Sequence, residues 1–394
     1  MEVTIEKLDH FGRGIAKIDN KICFIENALP NEIVKISIIK DKKKYLEGRV
    51  EKYIKTSNKR ISVNDNYYDE SGTNLSHMSF EDENEFKKQK LEELCQKNIN
   101  YNANITIESD KKYHYRNKIT LRSKNNKLGS YKKGTNEIIE VNDCILSNDK
   151  INEIIIELKK INLGTNEIVI RTNKEETESI IILKNKIKDT KLLLNIADVV
   201  VVEDKIISNR KMITTSVNNK LYNLSPTSFF QINDTITEKV YNDIKKVINQ
   251  LNSKNVLDLY CGSGTIGIYI ADDVEKVIGI ESNRTSIKDA NSNKELNLVK
   301  NIKFIKGKVE DNIDTINDID TIIVDPPRAG LTKKVIEEIK RINPDNLIYM
   351  SCDPTTMLRD IKELKEEYKV TGIKGYNMFA NTYHIETVCV LERR

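Results

Sequence analysis

The spacing of hydrophobic residues divides the chain into three stretches that differ in predicted secondary structure. Residues 1–55 alternate short apolar runs with turn residues, which predicts a small β-barrel of the oligonucleotide-binding (OB-like) type. Its basic loop, 40–44 (KDKKK), is either a solvated turn or a contact for an RNA backbone. Residues 56–220 mix strand-like runs with helices predicted at 79–97 and 149–160, so we expect an α+β central domain.

Strand and helix patterns alternate regularly over residues 221–394. Nearly continuous apolar runs such as 255–260 are typical of strands buried in a parallel sheet. The alternation predicts a doubly wound, Rossmann-like α/β domain, closed by two final strands at 372–378 and 387–391. Its other predicted elements are helices at 235–251, 284–297, 332–342 and 355–367, and strands at 274–280, 302–306, 321–324 and 347–350.

Composition narrows the class of protein without fixing its function. Hydrophobic residues make up 38% and charged residues 31% of the chain, as in globular proteins. The net charge of +4 permits a nucleic-acid partner but does not require one. The start of the chain lacks a signal-peptide pattern, no apolar run reaches membrane-spanning length, and the six cysteines include no CxxC pair. We therefore expect a cytoplasmic protein with reduced thiols, no membrane partner and a monomeric state.

The segment 258–267 (DLYCGSGTIG) lies between a predicted strand and a predicted helix. Glycines such as Gly262 allow a tight turn and a close approach of the backbone to a ligand at the helix N-terminus. Glu281 is predicted to end the next strand, where a carboxylate accepts ribose hydroxyls. NAD would fit this layout, but Asp258 favours a ligand with a free ammonium group over a pyrophosphate. Asp325 begins a DPPR motif at the same sheet edge, and together these features favour S-adenosylmethionine.

Cys352 lies in the segment 349–354 (YMSCDP), between a predicted strand and a predicted helix whose amide groups would favour a thiolate. A lone cysteine is usually a small buried hydrophobic residue. Its position beside a turn at the ligand edge nevertheless makes it a candidate nucleophile. Cys261, inside the glycine turn, is expected to pack under the cofactor, and Cys389, in mid-strand, to belong to the core.

Methylation of a uracil at C5 requires two groups besides the methyl donor. A thiolate that adds to C6 makes C5 nucleophilic, and a base then removes the C5 proton. Glu386 and His384, at the start of the last predicted strand, are both candidates for the base. Each is also compatible with an exposed strand start, and the pattern alone does not choose between them.

Five segments together resemble the RNA uracil-5-methyltransferases, and the resemblance covers essentially the whole chain. These segments are 225–231 (SPTSFFQ), 258–267 (DLYCGSGTIG), 325–330 (DPPRAG), 351–354 (SCDP) and 384–386 (HIE). The resemblance implies that Cys352 is the nucleophile and Glu386 the proton acceptor. It also implies a site for S-adenosylmethionine whose residues, with those of the glycine turn, are Gln231, Asp258, Tyr260, Gly262, Glu281 and Asp325.

The amino-terminal barrel resembles the TRAM module, which binds RNA, and the central domain is expected to contact RNA as well. The barrel favours ribosomal RNA (23S) as substrate over transfer RNA. Many ribosomal-RNA members carry a four-cysteine iron–sulfur cluster, but the corresponding segment, 68–77 (YDESGTNLSH), has no cysteine. Cys144 corresponds at most to the fourth ligand, and one thiolate cannot hold a cluster. We therefore predict no iron–sulfur cluster.

Several other activities remain open on the sequence. The same reaction on transfer RNA is the nearest alternative. A cytosine-5 RNA methyltransferase is expected to carry a Pro-Cys element where this chain has Pro327 and Arg328. An amino-group methyltransferase usually has an aromatic residue after Pro-Pro, and an RNA-binding protein with a degenerate catalytic domain would not keep Cys352, Glu386 and Gln231 together. A dehydrogenase leaves the two proline-containing turns unexplained.

Overall fold

The computed structural model describes residues 1–62, 73–102, 104–132 and 135–394, and the strands in this part of the chain form four sheets. The first sheet has six strands in the order β1-β5-β6-β4-β3-β2 and confirms the predicted β-structure at the amino terminus. Buried and exposed side chains alternate along its strands, so one face packs around an apolar core. The strands are β1 (Glu2–Thr4), β2 (Lys7–Leu8), β3 (Gly14–Ile18), β4 (Lys21–Ile25), β5 (Ile33–Asp41) and β6 (Tyr45–Lys55).

A long helix, α1 (Phe80–Ile99), follows the first sheet and links it to the rest of the molecule. Ser79 caps it by accepting a hydrogen bond from the amide of Asp82 (3.0 Å). The buried ammonium group of Lys87 donates to the Oδ1 atom of Asn377 (2.6 Å) and to the carbonyl oxygen of Phe379 (3.1 Å). This helix therefore holds the carboxy-terminal segment that leads into the last strand.

The second sheet forms the centre of the chain and has the order β10-β9-β8-β11-β12-β13-β14. Its strands are β8 (Lys118–Lys124), β9 (Lys127–Tyr131), β10 (Ile138–Glu140), β11 (Asn166–Thr172), β12 (Ser179–Leu183), β13 (Val199–Val202) and β14 (Lys205–Ile206), with helix α2 (Asp149–Leu158) against it. A hairpin of β15 (Ile213–Val217) and β16 (Lys220–Leu224) follows. The mixture of strands and helices agrees with the predicted α+β class.

The largest sheet has the order β19-β18-β17-β20-β21-β23-β22-β7 and is parallel from β19 to β21, as in a doubly wound fold. Its strands are β7 (Thr106–Glu108), β17 (Asn255–Leu259), β18 (Lys276–Glu281), β19 (Ile302–Lys306), β20 (Thr321–Val324), β21 (Asn346–Ser351), β22 (Tyr368–Tyr376) and β23 (Glu386–Arg393). Its helices are α3 (Asp234–Gln250), α4 (Thr265–Ile270), α5 (Arg284–Leu296), α6 (Val309–Asn312), α7 (Lys333–Ile342) and α8 (Pro354–Glu363). These bounds confirm the predicted Rossmann-like class.

Two features cross the limits suggested by the sequence pattern. Strand β7, which comes from the centre of the chain, pairs in parallel with β22 and forms one edge of the largest sheet. Strand β16 spans residue 221, where we expected the last domain to begin. No helix among the described residues is both long enough and apolar enough to cross a membrane.

Candidate active site

The turn after β17 has a backbone conformation that few residues adopt. Tyr260 has φ +62°, and Gly262 and Gly264 have φ +55° and +76°. A left-handed conformation at a bulky non-glycine residue is uncommon and is often found at functional sites. At Gly264 a Cβ atom would also lie 2.5 Å from the ring of Phe304. The turn is therefore specified by the glycines that the sequence indicated, and it opens α4 as predicted.

Asp258 lies at the floor of this turn and is 1% exposed. Its Oδ2 atom accepts a hydrogen bond from the amide of Gly267 (3.1 Å), while Oδ1 has no hydrogen-bond partner among the described residues. Burial raises the pKa of Asp258 to about 8. A buried acceptor without a partner is costly, so this position suits a ligand that brings a donor, and above all a cationic one.

Glu281 ends β18, where the sequence pattern places it. Its Oε1 atom accepts a hydrogen bond from the amide of Asn283 (2.6 Å), and its Oε2 atom accepts one from the amide of Gly262 (3.3 Å). The carboxylate therefore joins two adjacent loops at the carboxyl edge of the sheet. Oε1 also accepts a hydrogen bond from the hydroxyl of Ser282 (3.2 Å), so Oε2 is the oxygen with a lone pair left for a ligand hydroxyl.

The loop 225–231 carries Gln231, and two buried charges hold it in place. Arg171 is 2% exposed and donates to the carbonyl oxygens of Ser228 (2.8 Å) and Phe230 (3.1 Å). From the other side, Asp289 accepts hydrogen bonds from the amide (2.9 Å) and the hydroxyl (2.6 Å) of Ser225. Sequence reasoning missed both supports, because no motif marks residues that act through such distant contacts.

A pocket at the carboxyl edge of the sheet brings together five of the six residues expected to hold the cofactor. Glu281 lies beside it through its contact with Gly262. The residues that line the pocket are Phe229, Phe230, Gln231, Tyr241, Asp258, Tyr260, Cys261, Gly262, Ser263, Thr265, Ile266 and Asp325. Cys261 thus lies in the wall of the pocket and is buried.

Cys352 and Glu386 are brought together by the register of two antiparallel strands. Ser351, the last residue of β21, pairs directly with Thr387 of β23. Cys352 directly follows Ser351, and Glu386 directly precedes Thr387. Because the strands are antiparallel, Cys352 and Glu386 lie next to each other at the same end of this pair. Glu386 is 2% exposed, and its Oε1 atom has no hydrogen-bond partner in the part of the chain that the structure describes. Cys352 is half-buried, whereas the other five cysteines are buried.

The thiol of Cys352 lies between opposing charges. Burial raises its pKa to about 11, and the carboxyl group of Glu386 adds to this effect. The guanidinium group of Arg328 hydrogen-bonds the sulfur and acts in the opposite direction. Arg328 was not expected as a site residue, although its place directly after Pro327 is a signal that the sequence offers. The free protein therefore carries a neutral thiol at pH 7.

The start of α8 does not give Cys352 a lowered pKa. The pKa of Cys352 is raised, not lowered. The amide of Thr355, in the first turn of the helix, donates to the side chain of Asp353 (2.9 Å), which caps the helix. Because this amide is already occupied by the cap, it does not serve the sulfur.

Two carboxyl groups beside the thiol also prefer their neutral forms. Burial raises the pKa of Asp325 to about 7. Burial raises the pKa of Glu386 well above its usual range, and the nearby charge of Asp325 raises it further. Two buried carboxyl groups that lie close together keep a proton near neutral pH, because their negative charges would repel each other. A cation that enters the site favours their ionised forms. This end of the pocket is therefore prepared for a positive ligand.

The remaining candidate residues lie in the hydrophobic cores or beside Tyr383. Cys389 is fully buried in the core, as expected, and Cys144 is buried in the core of the central sheet. His384 is half-buried, and its ring lies 4.2 Å from that of Tyr383. The segment in which cluster ligands were sought, 68–77, lies partly outside the described residues, which resume at Thr73.

Comparison with known proteins identifies the family. A family model described as tRNA (uracil-5-)-methyltransferase matches residues 170–394, which is more than half of the chain. The chain belongs to this family. A model of the TRAM domain matches residues 1–50. The first, six-stranded sheet is therefore the TRAM domain of this family member. The expected family resemblance is therefore confirmed.

Full-length relatives support this family membership. A protein of Clostridium acetobutylicum described as an uncharacterized RNA methyltransferase is 30% identical, and the match covers 100% of this chain and 96% of the relative. One from Staphylococcus aureus with the same description is 31% identical over 98% of this chain and 96% of its own. A crystal structure of the Pyrococcus abyssi tRNA (uracil-54, C5)-methyltransferase in complex with S-adenosyl-L-homocysteine superposes with a TM-score of 0.83 at 24% identity. It covers 99% of this chain and 100% of that one, which shows that this family member shares its fold.

Proposed function

We propose that this protein transfers a methyl group from S-adenosylmethionine to C5 of a uridine in RNA, through a covalent bond between Cys352 and C6. The observation that carries the proposal is the placement of Cys352 and Glu386 by the pairing of Ser351 with Thr387. The pair lies beside Asp325, which is also in the wall of the pocket. Nucleophile, base and cofactor pocket therefore meet at one edge of the sheet.

The pocket fits S-adenosylmethionine by its chemistry. The unpartnered Oδ1 atom of Asp258 is an acceptor for the ammonium group, and Glu281 is positioned for ribose hydroxyls. Gln231, Tyr260 and Asp325 complete the walls. When bound, S-adenosylmethionine supplies a methyl group on a positively charged sulfur, and such a cation favours the ionised forms of the buried carboxyl groups around it.

Each residue at the centre has one step to perform. Cys352 loses its proton to solvent, and its thiolate adds to C6 of the uracil, so that the ring becomes an enolate with electron density on C5. Arg328, which hydrogen-bonds the sulfur, stabilises this thiolate. C5 takes the methyl group as the bond between the methyl carbon and the sulfonium sulfur breaks, and S-adenosylhomocysteine is the leaving group. The carboxylate of Glu386 then removes the C5 proton, the C5–C6 double bond returns, and the Cys352 thiolate leaves.

Glu386 is a better candidate for the base than His384. Burial lowers the pKa of His384 to about 4, and Arg328 lowers it further, so the imidazole is a weak base at this position. Glu386 has a raised pKa, so its carboxylate binds a proton more strongly than an ordinary glutamate does. Its unpartnered Oε1 atom is also free to accept that proton.

For the substrate, 23S ribosomal RNA, which was expected from the barrel, and transfer RNA are the two candidates. The barrel alone does not choose between them. The Pyrococcus abyssi protein, whose name states a tRNA substrate, superposes over 99% of this chain, a span that includes the barrel. The choice is testable by supplying purified ribosomal RNA and transfer RNA from cells that lack this protein and locating 5-methyluridine by mass spectrometry.

The decisive experiment supplies the protein and S-adenosylmethionine with RNA that carries tritium at C5 of its uracils. Methylation at C5 must release that tritium to water, and no release would refute the proposal. With Glu386→Gln we expect a covalent protein–RNA adduct, because the C5 proton is not removed. Neither Cys352→Ala nor the variant that combines Cys352→Ala with Glu386→Gln should form this adduct. His384→Gln is the matched control, and an adduct with His384→Gln but not with Glu386→Gln would reassign the base.

A further inference from the structure

A row of aromatic rings and an arginine crosses from the first sheet to the active site. Tyr45 and Phe24, on neighbouring strands of that sheet, have ring centroids 5.8 Å apart. The guanidinium group of Arg13 lies 4.3 Å from the ring of Phe24 and 5.4 Å from that of Phe11. Phe11 in turn meets Tyr383 edge-on, with 5.2 Å between centroids. Rings from opposite ends of the chain therefore form one continuous row.

The row ends at the proposed catalytic centre. Tyr383 lies against His384, with ring centroids 4.2 Å apart, and His384 is two residues before Glu386. The ammonium group of Lys90 lies 5.1 Å from the Tyr383 ring. Arg328, the residue that contacts the Cys352 thiol, also lowers the pKa of His384. A ligand lying on this row would therefore end next to the strand that begins with Glu386.

Phe11 is held outward by a turn that fixes its position. Its side chain is 52% exposed, although it is a large apolar residue. The Oδ1 atom of Asp9 accepts hydrogen bonds from the amides of Phe11 (2.9 Å) and Arg13 (2.8 Å). Gly12 has φ +77°, and a Cβ atom there would lie 2.3 Å from the side chain of Leu75. The backbone of the turn is thus held by these hydrogen bonds and by the fit of Gly12, and it leaves the Phe11 ring exposed.

The charges beside this row suit an anionic chain. Lys42, Lys43 and Lys44 are exposed at the tip between β5 and β6. Glu47 accepts a hydrogen bond from Lys40 (2.9 Å), which is the main reason that its pKa lies below the usual range, and Arg13 and Lys42 lower it further. Asp9 is likewise paired with Arg13 (2.7 Å). Glu47 and Asp9 are thus paired with basic groups, whereas the lysines at the tip are open to phosphates.

We propose that Tyr45, Phe24, Arg13, Phe11, Tyr383 and His384 form a stacking track for unpaired nucleotides that flank the target uridine. The proposal rests on the RNA methylation proposed above and assigns a surface to it. A uridine that enters a catalytic pocket must leave its stack, so its neighbours lose stacking partners. Aromatic and guanidinium planes replace those partners for any base, because every base has a π face. A duplex offers no such faces, so the track should prefer single strands.

The test measures the binding of a fluorescent RNA of alternating uridine and cytidine, about 12 nucleotides long, to the full-length protein. The same strand annealed to its complement serves as the duplex probe. Phe11→Leu and Tyr383→Leu should each weaken binding of the single strand by about fivefold or more, the range expected for one lost base–aromatic stack. Binding of the duplex and of S-adenosylmethionine should stay unchanged.

Two control variants separate stacking from loss of structure. Phe11→Tyr keeps a ring and should retain binding. Tyr131→Leu removes an exposed aromatic residue that also lies beside an arginine, Arg122, but on the central sheet, and should have no effect. Wild-type protein that does not bind the single strand would overturn the proposal. So would unchanged binding by Phe11→Leu, an equal loss for the duplex, or an equal loss in Tyr131→Leu.

The track and the methylation can fail independently. Binding of the oligonucleotide needs no turnover, and release of tritium needs no Phe11. Loss of binding in Phe11→Leu without tritium release from any RNA by the wild type would leave the surface assigned and refute the reaction. Tritium release by the wild type together with unchanged binding in Phe11→Leu would support the reaction and refute the stacking track.

Discussion

Ser351 pairs directly with Thr387 in the antiparallel ladder between β21 and β23. The proposed nucleophile and the proposed base therefore lie directly beside a pair of residues whose positions are fixed by strand register. Because side chains alternate between the two faces of a sheet, a slip of one residue would turn Glu386 to the opposite face. The ladder continues from Asn346, paired with Glu392, so six paired positions hold the distance between Cys352 and Glu386. A catalytic geometry built in this way tolerates little movement of the final strand.

The raised pKa of Cys352 predicts how its alkylation depends on pH. In the free protein, the rate with iodoacetamide should rise about tenfold for each pH unit until it levels off near pH 11, because only the thiolate reacts. Glu386→Gln removes a negative neighbour, so its rate should level off at a lower pH. Mass spectrometry locates the label, and the five buried cysteines are internal controls. A rate that levels off below pH 8 in the wild type would contradict the prediction.

The buried carboxyl groups predict that S-adenosylmethionine binding releases protons. Asp258 and Asp325, with pKa values of about 8 and about 7, are partly protonated at pH 7, and a bound cation would ionise them. Affinity should therefore increase with pH up to about pH 8, where Asp258 is ionised in the free protein as well. Calorimetry in buffers of different ionisation enthalpy measures the protons released. S-adenosylhomocysteine, which lacks the sulfonium charge, should release fewer, and Asp258→Asn should flatten the dependence on pH.

The same carboxyl groups make the free energy of unfolding of the free protein depend on pH. The unfolded chain ionises these carboxyl groups in the ordinary range, whereas the folded chain keeps the proton on Asp258 up to about pH 8. The folded state therefore binds more protons in that window, and the free energy of unfolding should fall as the pH rises through it. Urea unfolding at several pH values checks the sign, and Asp258→Asn should reduce the slope.

The contact between Arg171 and the loop 225–231 predicts a loss of cofactor affinity from a residue outside the pocket. Arg171→Met leaves the carbonyl oxygens of Ser228 and Phe230 without their donor, at a cost on the order of 2 kcal/mol in the free energy of unfolding. We expect the Kd for S-adenosylmethionine to rise about tenfold, which corresponds to a loop that is correctly formed in about one tenth of the molecules. Arg49→Met, at an exposed position of β6, is the control. Unchanged affinity in Arg171→Met would show that Gln231 does not depend on this support.

The basic tip of the first sheet predicts a change in salt dependence. Replacing Lys42, Lys43 and Lys44 by Gln should weaken RNA binding and reduce the slope of log Kd against log salt concentration by about 0.7 for each lost phosphate contact. Phe11→Leu should weaken binding without changing that slope, since stacking releases no counterions. Titrations at several salt concentrations separate the two effects. Equal slopes for the triple variant and the wild type would remove the tip from the RNA interface.

Much of the catalytic sheet was predictable because its signals are local. Helix α5, expected at 284–297, is found at Arg284–Leu296, since apolar periodicity and the Asn283 cap both lie within the segment itself. Five of the six expected cofactor residues line the pocket, since each ends a strand or lies in a motif, whereas Tyr241, in the middle of α3, was not predicted. Strand β7 was not assigned to this sheet, because three residues carry no periodicity and their partner, β22, lies far along the chain. The buried Arg171 and the contact of Phe11 with Tyr383 escaped prediction for the same reason.

Strand β7 also determines which part of the molecule is self-sufficient. The family model begins at residue 170, but the outer edge of β22 is covered by Thr106–Glu108, which precede that point. A fragment cut at the start of the matched region would expose the backbone amides and carbonyls of β22 as an unprotected edge, open to pairing with another copy. It would also lose Lys87 and its hold on Asn377. The matched segment expressed alone should therefore aggregate, and a self-sufficient fragment must include β7 and α1.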